Sequence, residues 1–171
     1  MNSYIWIFIV LFMIHEMEEI MGLPDFMQAN MPVLREKYPF IAKRYAHVSR
    51  CAFNACVYEE LILFTGVCVF SELTGNYGGW FALLAEFIIH LFIHILFAAI
   101  YKGYIPSVIT SFLMLPPSIA LLVRAFPLID FSQTATIVSL AVFAVAAPLN
   151  LSLLPLFGRM SGRGGKASQD A

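Results

Sequence analysis

Five apolar runs, each close to the roughly 20 residues a helix needs to cross a bilayer, dominate this chain. They extend from about Tyr4 to Met21, Cys51 to Phe70, Trp80 to Tyr101, Ile105 to about Val123, and Thr134 to Phe157. Lipid cannot hydrogen-bond an exposed backbone, so runs of this kind fold as helices. Composition agrees, with 60% hydrophobic and 12% charged residues and a mean hydropathy of +0.81. A soluble domain carries about a quarter charged residues, and a domain this small leaves much of its surface exposed. The expected fold is therefore all-α, a polytopic membrane helix bundle of about five transmembrane helices. Residues 1–157 form its single domain, and 158–171, rich in Gly, Ser and charge, form a disordered cytoplasmic tail. Pro116-Pro117 and Pro148 should kink the fourth and fifth helices. The net charge of −1 leaves no basis for a nucleic-acid partner. Cys51, Cys56 and Cys68 form no C-x-x-C pair and no even disulfide framework.

Basic residues set the expected orientation. Arg35, Lys37, Lys43, Arg44 and Arg50 lie between spans one and two, Lys102 between three and four, and Arg159, Arg163 and Lys166 in the tail. With five spans, all of these fall on one side, and only Arg124 falls on the other. The N-terminus is expected outside and the C-terminus inside. The first run has no basic residue before it and ends in acids rather than a small-residue cleavage site, so it reads as a retained span. The segment from Gly22 to Arg50 is expected to lie along the inner interface. A bacterial cytoplasmic membrane, with lipids as partners, suits such a chain.

Ionisable residues inside a span are expensive and mark functional sites by default. Here they concentrate in three spans: His15-Glu16-Met17-Glu18-Glu19 in the first, Asn54, Glu59 and Glu60 in the second, and Glu86, His90 and His94 in the third. His15, Glu18 and Glu19 stand at i, i+3 and i+4, on one helix face, while Glu16 is rotated away. Glu86, His90 and His94 form a second stripe at i, i+4 and i+8. Glu59 and Glu60 are adjacent, so only one can face a common centre. At about 1.5 Å per residue, His15, Glu59 and His94 lie roughly 9, 12 and 10 Å from the inner side, and Glu86 roughly 22 Å. Three helices thus bring polar groups to one level.

Imidazoles and carboxylates together are a ligand set for zinc, iron or manganese. A dication also lets several buried carboxylates tolerate one another. The His-x-x-Glu spacing resembles the inward-facing ligands of carboxylate-bridged di-metal bundles. The expected metal ligands are drawn from His15, Glu18, Glu19, Glu59, Glu60, Glu86, His90 and His94. Two plainer readings compete: buried Glu and His that only tie helices together, and a relay for protons or ions.

His15-x-x-Glu18-Glu19, near the end of the first span, resembles the signature of the HXXEE family of small integral membrane proteins. That family has a further histidine, matched by His90 or His94, and a Tyr-x-Pro-Gly motif. Tyr104-Ile105-Pro106-Ser107 is similar to the latter, with serine in place of glycine. The resemblance covers roughly residues 8 to 125. It implies a membrane protein with a polar site and carries no reaction with it.

Two enzyme classes and one non-enzymatic class fit the residues. A hydrolase or transferase acting on a lipophilic substrate needs one divalent ion, held by His15, His90 and His94 or by two histidines and a glutamate. Glu19 or Glu60 would be its general base and Tyr104 a hydrogen-bond donor. The H-E-x-x-H pattern is not met, since Glu19 holds the final position. A di-iron oxidoreductase would use Glu18, Glu19, Glu59 and Glu60 as bridges, although four histidines in all are few for a membrane desaturase. A proton conduit or transporter would use the same groups without catalysis, and the absence of an inverted repeat weighs against a secondary transporter.

Overall fold

The computed structural model describes residues 1–46, 48–132, 134 and 136–141. Up to Leu128 they form six α-helices and a single-turn 3-10 helix, residues 136–141 are again helical, and there is no strand among the described residues. α1 (Asn2–Ala29) is followed by two short helices, α2 (Met31–Lys37) and α3 (Pro39–Tyr45). Both open with a proline in the first turn, where no backbone donor is required. α4 (Arg50–Thr74) starts at Ser49, whose hydroxyl accepts from the Ala52 amide at 3.1 Å. It stops at Gly75, which takes the left-handed conformation at φ +71°. α5 (Gly78–Tyr101) and α6 (Val108–Ala125) follow, and α6 runs on into the 3-10 turn Phe126–Leu128. Pro116 and Pro117 sit inside α6.

Three segments are long and apolar enough to cross a membrane: Arg50–Thr74, Gly78–Tyr101 and Val108–Leu128. These correspond to the expected second, third and fourth spans. α1 is the longest helix, at 28 residues or about 42 Å, but it carries the acids of the first polar group. It also runs past the expected end at Met21. Leu23 and Met27 bury themselves beside Phe53 and Val57 of α4, which makes continuing the helix favourable despite Pro24. The segment expected to lie at the interface is thus the last turns of α1 plus two short helices. The expected fifth span, Thr134 to Phe157, with Pro148, and the tail 158–171 lie largely or wholly outside the described residues, although 136–141 is helical.

Side-chain pairings give the helix directions. On α1, Phe8 and Phe12 meet Phe87 of α5, and His15 meets His90 and His94 further along. These two helices therefore run the same way. α4 runs against them, since Cys68 lies beside Ile5 while Phe53 lies beside Leu23. α6 also runs against α1, from Pro106 beside Gly22 to Leu121 and Ala125 in the same core as Ile5.

The bundle has two apolar cores with a polar layer between them. The larger core holds Phe8, Phe12, Cys68, Trp80, Leu83, Leu84 and Phe87. The smaller, at the other end, holds Leu23, Met27, Leu34, Phe53, Val57 and Ile105. α1, α4 and α5 contribute to both cores on either side of a polar stretch, while α6 adds only to the larger one. Most of the basic residues gather at the end with the small core, on α2, α3, the start of α4 and the end of α5. There Arg50 pairs with Asp25, the Tyr38 hydroxyl donates to the Ile100 carbonyl, and the Tyr101 hydroxyl donates to Asn30 Oδ1.

Candidate metal centre

One turn of α1 separates His15 from Glu19, and one turn of α5 separates His90 from His94. Parallel packing of the two helices sets these pairs face to face. One nitrogen from each histidine and one oxygen of Glu19 lie within 4.8 Å of one another. Glu19 Oε1 is 2.7 Å from His94 Nε2, 3.6 Å from His15 Nε2 and 3.7 Å from His90 Nε2. The Nε2 atoms of His90 and His94 approach to 2.9 Å. His15 and Glu19 are buried, while the His90 side chain keeps 28% of its surface exposed, so the group is most open at His90.

Two atoms show that the group suits a cation. His15 Nε2 and Glu19 Oε1 are buried and find no hydrogen-bond partner outside the group among the described residues. Buried polar atoms are normally paired, yet these two face the same small space as the other nitrogens. Three imidazole nitrogens and one carboxylate oxygen are an established kind of donor set for zinc, iron or manganese.

A second ring of polar groups comes from the loop 102–107 and the first turn of α6. His15 Nδ1 is 3.0 Å from Thr110 Oγ1, and His94 Nδ1 is 2.7 Å from Ser107 Oγ. Glu18 lies in this ring, not among the inner atoms. Its Oε2 accepts from the Thr110 amide at 2.8 Å and the Thr110 hydroxyl at 2.6 Å, and its Oε1 accepts from the Tyr104 hydroxyl at 2.9 Å. Ser107 is the residue preceding α6, but its own hydroxyl is engaged by His94. Glu18 therefore satisfies the free amide at the start of α6 from another helix, at the end where a negative charge is favoured. Partial burial and the bond to the Glu18 carboxylate both raise the Tyr104 phenol above its ordinary pKa, so it remains a donor at neutral pH.

The loop fits against α1 because residue 22 is glycine. A β-carbon there would stand 2.8 Å from Pro106 Cβ and 2.9 Å from Pro106 Cγ. Ser107 has φ +101°, in the region that favours glycine. The serine costs backbone strain of about 1 kcal/mol and supplies the hydroxyl that reaches His94.

The remaining expected residues surround this group without joining it. Glu60 of α4 and the buried Glu16 lie behind Glu19, close enough to feel its charge. Tyr45 of α3 faces the same three carboxylates. Burial, together with those charges, holds its phenol above the ordinary range. Glu59 is exposed. Glu86 sits one turn before His90, and both its oxygens are buried without a hydrogen-bond partner. Thr110, Ser107, Gly22 and Tyr45 had no signal in hydropathy or charge. The Ser and Thr that follow the Tyr104-x-Pro106 turn, at the mouth of a span, are the one pattern that could have marked the first two.

A family model described as "Protein of unknown function with HXXEE motif" matches residues 6–121. The chain belongs to this family. No curated protein and no solved structure matches it. The match covers all four inner residues and the loop that braces them.

Proposed function

We propose that this member of the HXXEE-motif family is a metal-dependent membrane enzyme of the hydrolase or transferase type, built around one divalent ion and acting on a lipophilic substrate. The observation that carries the reading is the convergence of three imidazole nitrogens and one carboxylate oxygen, two of them buried and otherwise unpaired. His15, His90 and His94, with the Glu19 carboxylate, would hold the ion. Such an ion supplies Lewis acidity and lowers the pKa of a bound water. With Glu19 facing the ion, Glu60, close behind it, is the carboxylate left to accept a proton. A single ion is favoured over a di-iron pair because Glu18 is tied to Thr110 and Tyr104 and Glu59 is exposed. That leaves Glu19 as the one carboxylate in the inner group. A lipophilic substrate is supported by a groove of about 550 Å³ between α1 and α6, walled by Ile14, Met17, Met21 and Pro106. Its polar groups are Glu18, Tyr104 and Thr110, with the Tyr104 hydroxyl, which donates to Glu18, still able to accept from a substrate donor.

We also place α1 and residues 134–157 in the membrane as further spans, N-terminus outside and C-terminus inside, in a bacterial cytoplasmic membrane. Cysteine labelling at the Leu73–Gly79 turn tests this. Labelling from the outside is expected, and labelling only from the inside inverts the topology.

Elemental analysis of detergent-purified protein tests the metal. After metal-replete expression, wild type should hold about one ion per chain and His15→Ala almost none. Stray metal alone in both forms refutes the reading. One specific observation favours a second reading, a proton conduit: Glu86 leaves two buried oxygens unpartnered on the histidine stripe of α5. That reading predicts a pH-driven flux in liposomes that disappears in Glu86→Gln.

A further inference from the structure

Thr110 is in contact with both a buried histidine and a carboxylate, and it has one hydroxyl proton to give. Its Oγ1 lies 2.6 Å from Glu18 Oε2, 3.3 Å from the Ser107 carbonyl and 3.0 Å from His15 Nδ1. The first two partners are acceptors only. The carboxylate is nearer and charged, and charge-assisted bonds at this length are the strong ones. The Thr110 proton therefore points to Glu18, with the Ser107 carbonyl as the sole competitor among the described residues, and neither choice leaves a proton for His15. The contact at His15 Nδ1 then exists only if Nδ1 carries the hydrogen and donates to Thr110 Oγ1.

We propose that Glu18, acting through Thr110, is a positioning residue that locks His15 in the tautomer with hydrogen on Nδ1, so that Nε2 presents its lone pair to the inner group. The two adjacent glutamates of the motif then have different tasks: Glu19 faces the ion and Glu18 orients a ligand to it. The Thr110 amide at 2.8 Å and the Tyr104 hydroxyl at 2.9 Å hold the Glu18 carboxylate in place for this. Such hydrogen-bonded partners of a ligand histidine fix its ring and raise its basicity. His94 lacks this constraint. Among the described residues, Ser107 Oγ has only His94 Nδ1 as its side-chain partner and can donate or accept there, so it serves either tautomer.

The consequence for metal affinity rests on the single-ion reading, but the tautomer does not, so the test measures both. Long-range nitrogen–proton NMR on metal-free protein in detergent reports which His15 nitrogen carries hydrogen. Wild type and Thr110→Ser should both show hydrogen on Nδ1. Thr110→Val, which has no hydroxyl, should show a mixture or the opposite tautomer. Glu18→Met, which keeps the side chain's length without an accepting oxygen, should also give a mixture, because the Thr110 proton is then free for His15 or the Ser107 carbonyl. Zinc affinity, measured by chelator competition, should fall about 10- to 100-fold in Thr110→Val and Glu18→Met and remain near wild type in Thr110→Ser. An unchanged Nδ1 hydrogen in both Thr110→Val and Glu18→Met overturns the proposal, as does a Thr110→Ser protein that behaves like Thr110→Val. If no form binds zinc while the tautomers shift as described, the relay stands and the single-ion reading fails. Melting temperatures identify any variant that is simply unfolded, and the folded one of Thr110→Val and Glu18→Met then decides.

Discussion

The large apolar core and the polar layer next to it use the same helices in different ways. In the core, Phe8 and Phe12 of α1 interleave with Phe64 of α4 and Phe87 of α5, with ring centroids 4.8 to 5.9 Å apart. Shape decides those contacts, and any large apolar side chain of similar volume would do part of the work. One turn further along, His15, Glu19, His90 and His94 occupy the positions where the next core residues would fall, and each depends on a particular atom of a particular neighbour. The apolar core tolerates substitution by degree. In the polar layer one misplaced proton or oxygen is enough to undo the arrangement.

Substitutions in the two regions should therefore separate binding from stability. The largest effect is expected from Glu19→Gln, which removes the one carboxylate of the inner group. Its metal content should fall to background by elemental analysis while the helical signal in circular dichroism is unchanged. Phe12→Ala should do the reverse, costing about 3 kcal/mol in a detergent unfolding titration with metal content intact. Metal loss in that variant would mean the two regions are not independent. Gly22→Ala lies between them. Its β-carbon would press Pro106, costing about 1–3 kcal/mol as an overpacked contact, and by shifting the loop it should also weaken metal binding several-fold. Ser107→Gly is the mildest: about 1 kcal/mol of backbone strain is released and about 1 kcal/mol of hydrogen bonding to His94 is lost. Unfolding should barely change, and only metal affinity should drop.

The apolar core was legible because hydropathy responds to runs of Phe, Leu and Ile, and helical spacing assigns them a face. The shared depth of His15, His94 and the Glu59-Glu60 pair was legible for the same reason. The choice between neighbours was not. Glu18 and Glu19 lie about 100° apart on the helix, on either side of His15, and spacing alone admits both as ligands. The loop decides: it brings Thr110 and Tyr104 to Glu18, so only Glu19 is left to face α5. Glu59 and Glu60 present the same ambiguity, resolved in favour of Glu60 by the side of α4 that packs on α1. Ser107 and Thr110 were illegible because a hydroxyl can sit in a membrane helix at little cost, so hydropathy does not register it. Gly22 was illegible because its role is the absence of a β-carbon opposite a proline 84 residues away. The extension of α1 beyond Met21 was missed because the apolar run ends there, while the burial of Leu23 and Met27 depends on partners elsewhere in the chain.

X-ray absorption at the edge of the bound metal tests the central claim most directly. For purified, metal-loaded protein it counts imidazole ligands and detects any second metal nearby. The geometry predicts one ion per chain with three imidazoles, oxygen for the rest of its shell and no metal–metal scattering. A metal–metal distance, or a shell with no imidazole, would contradict it.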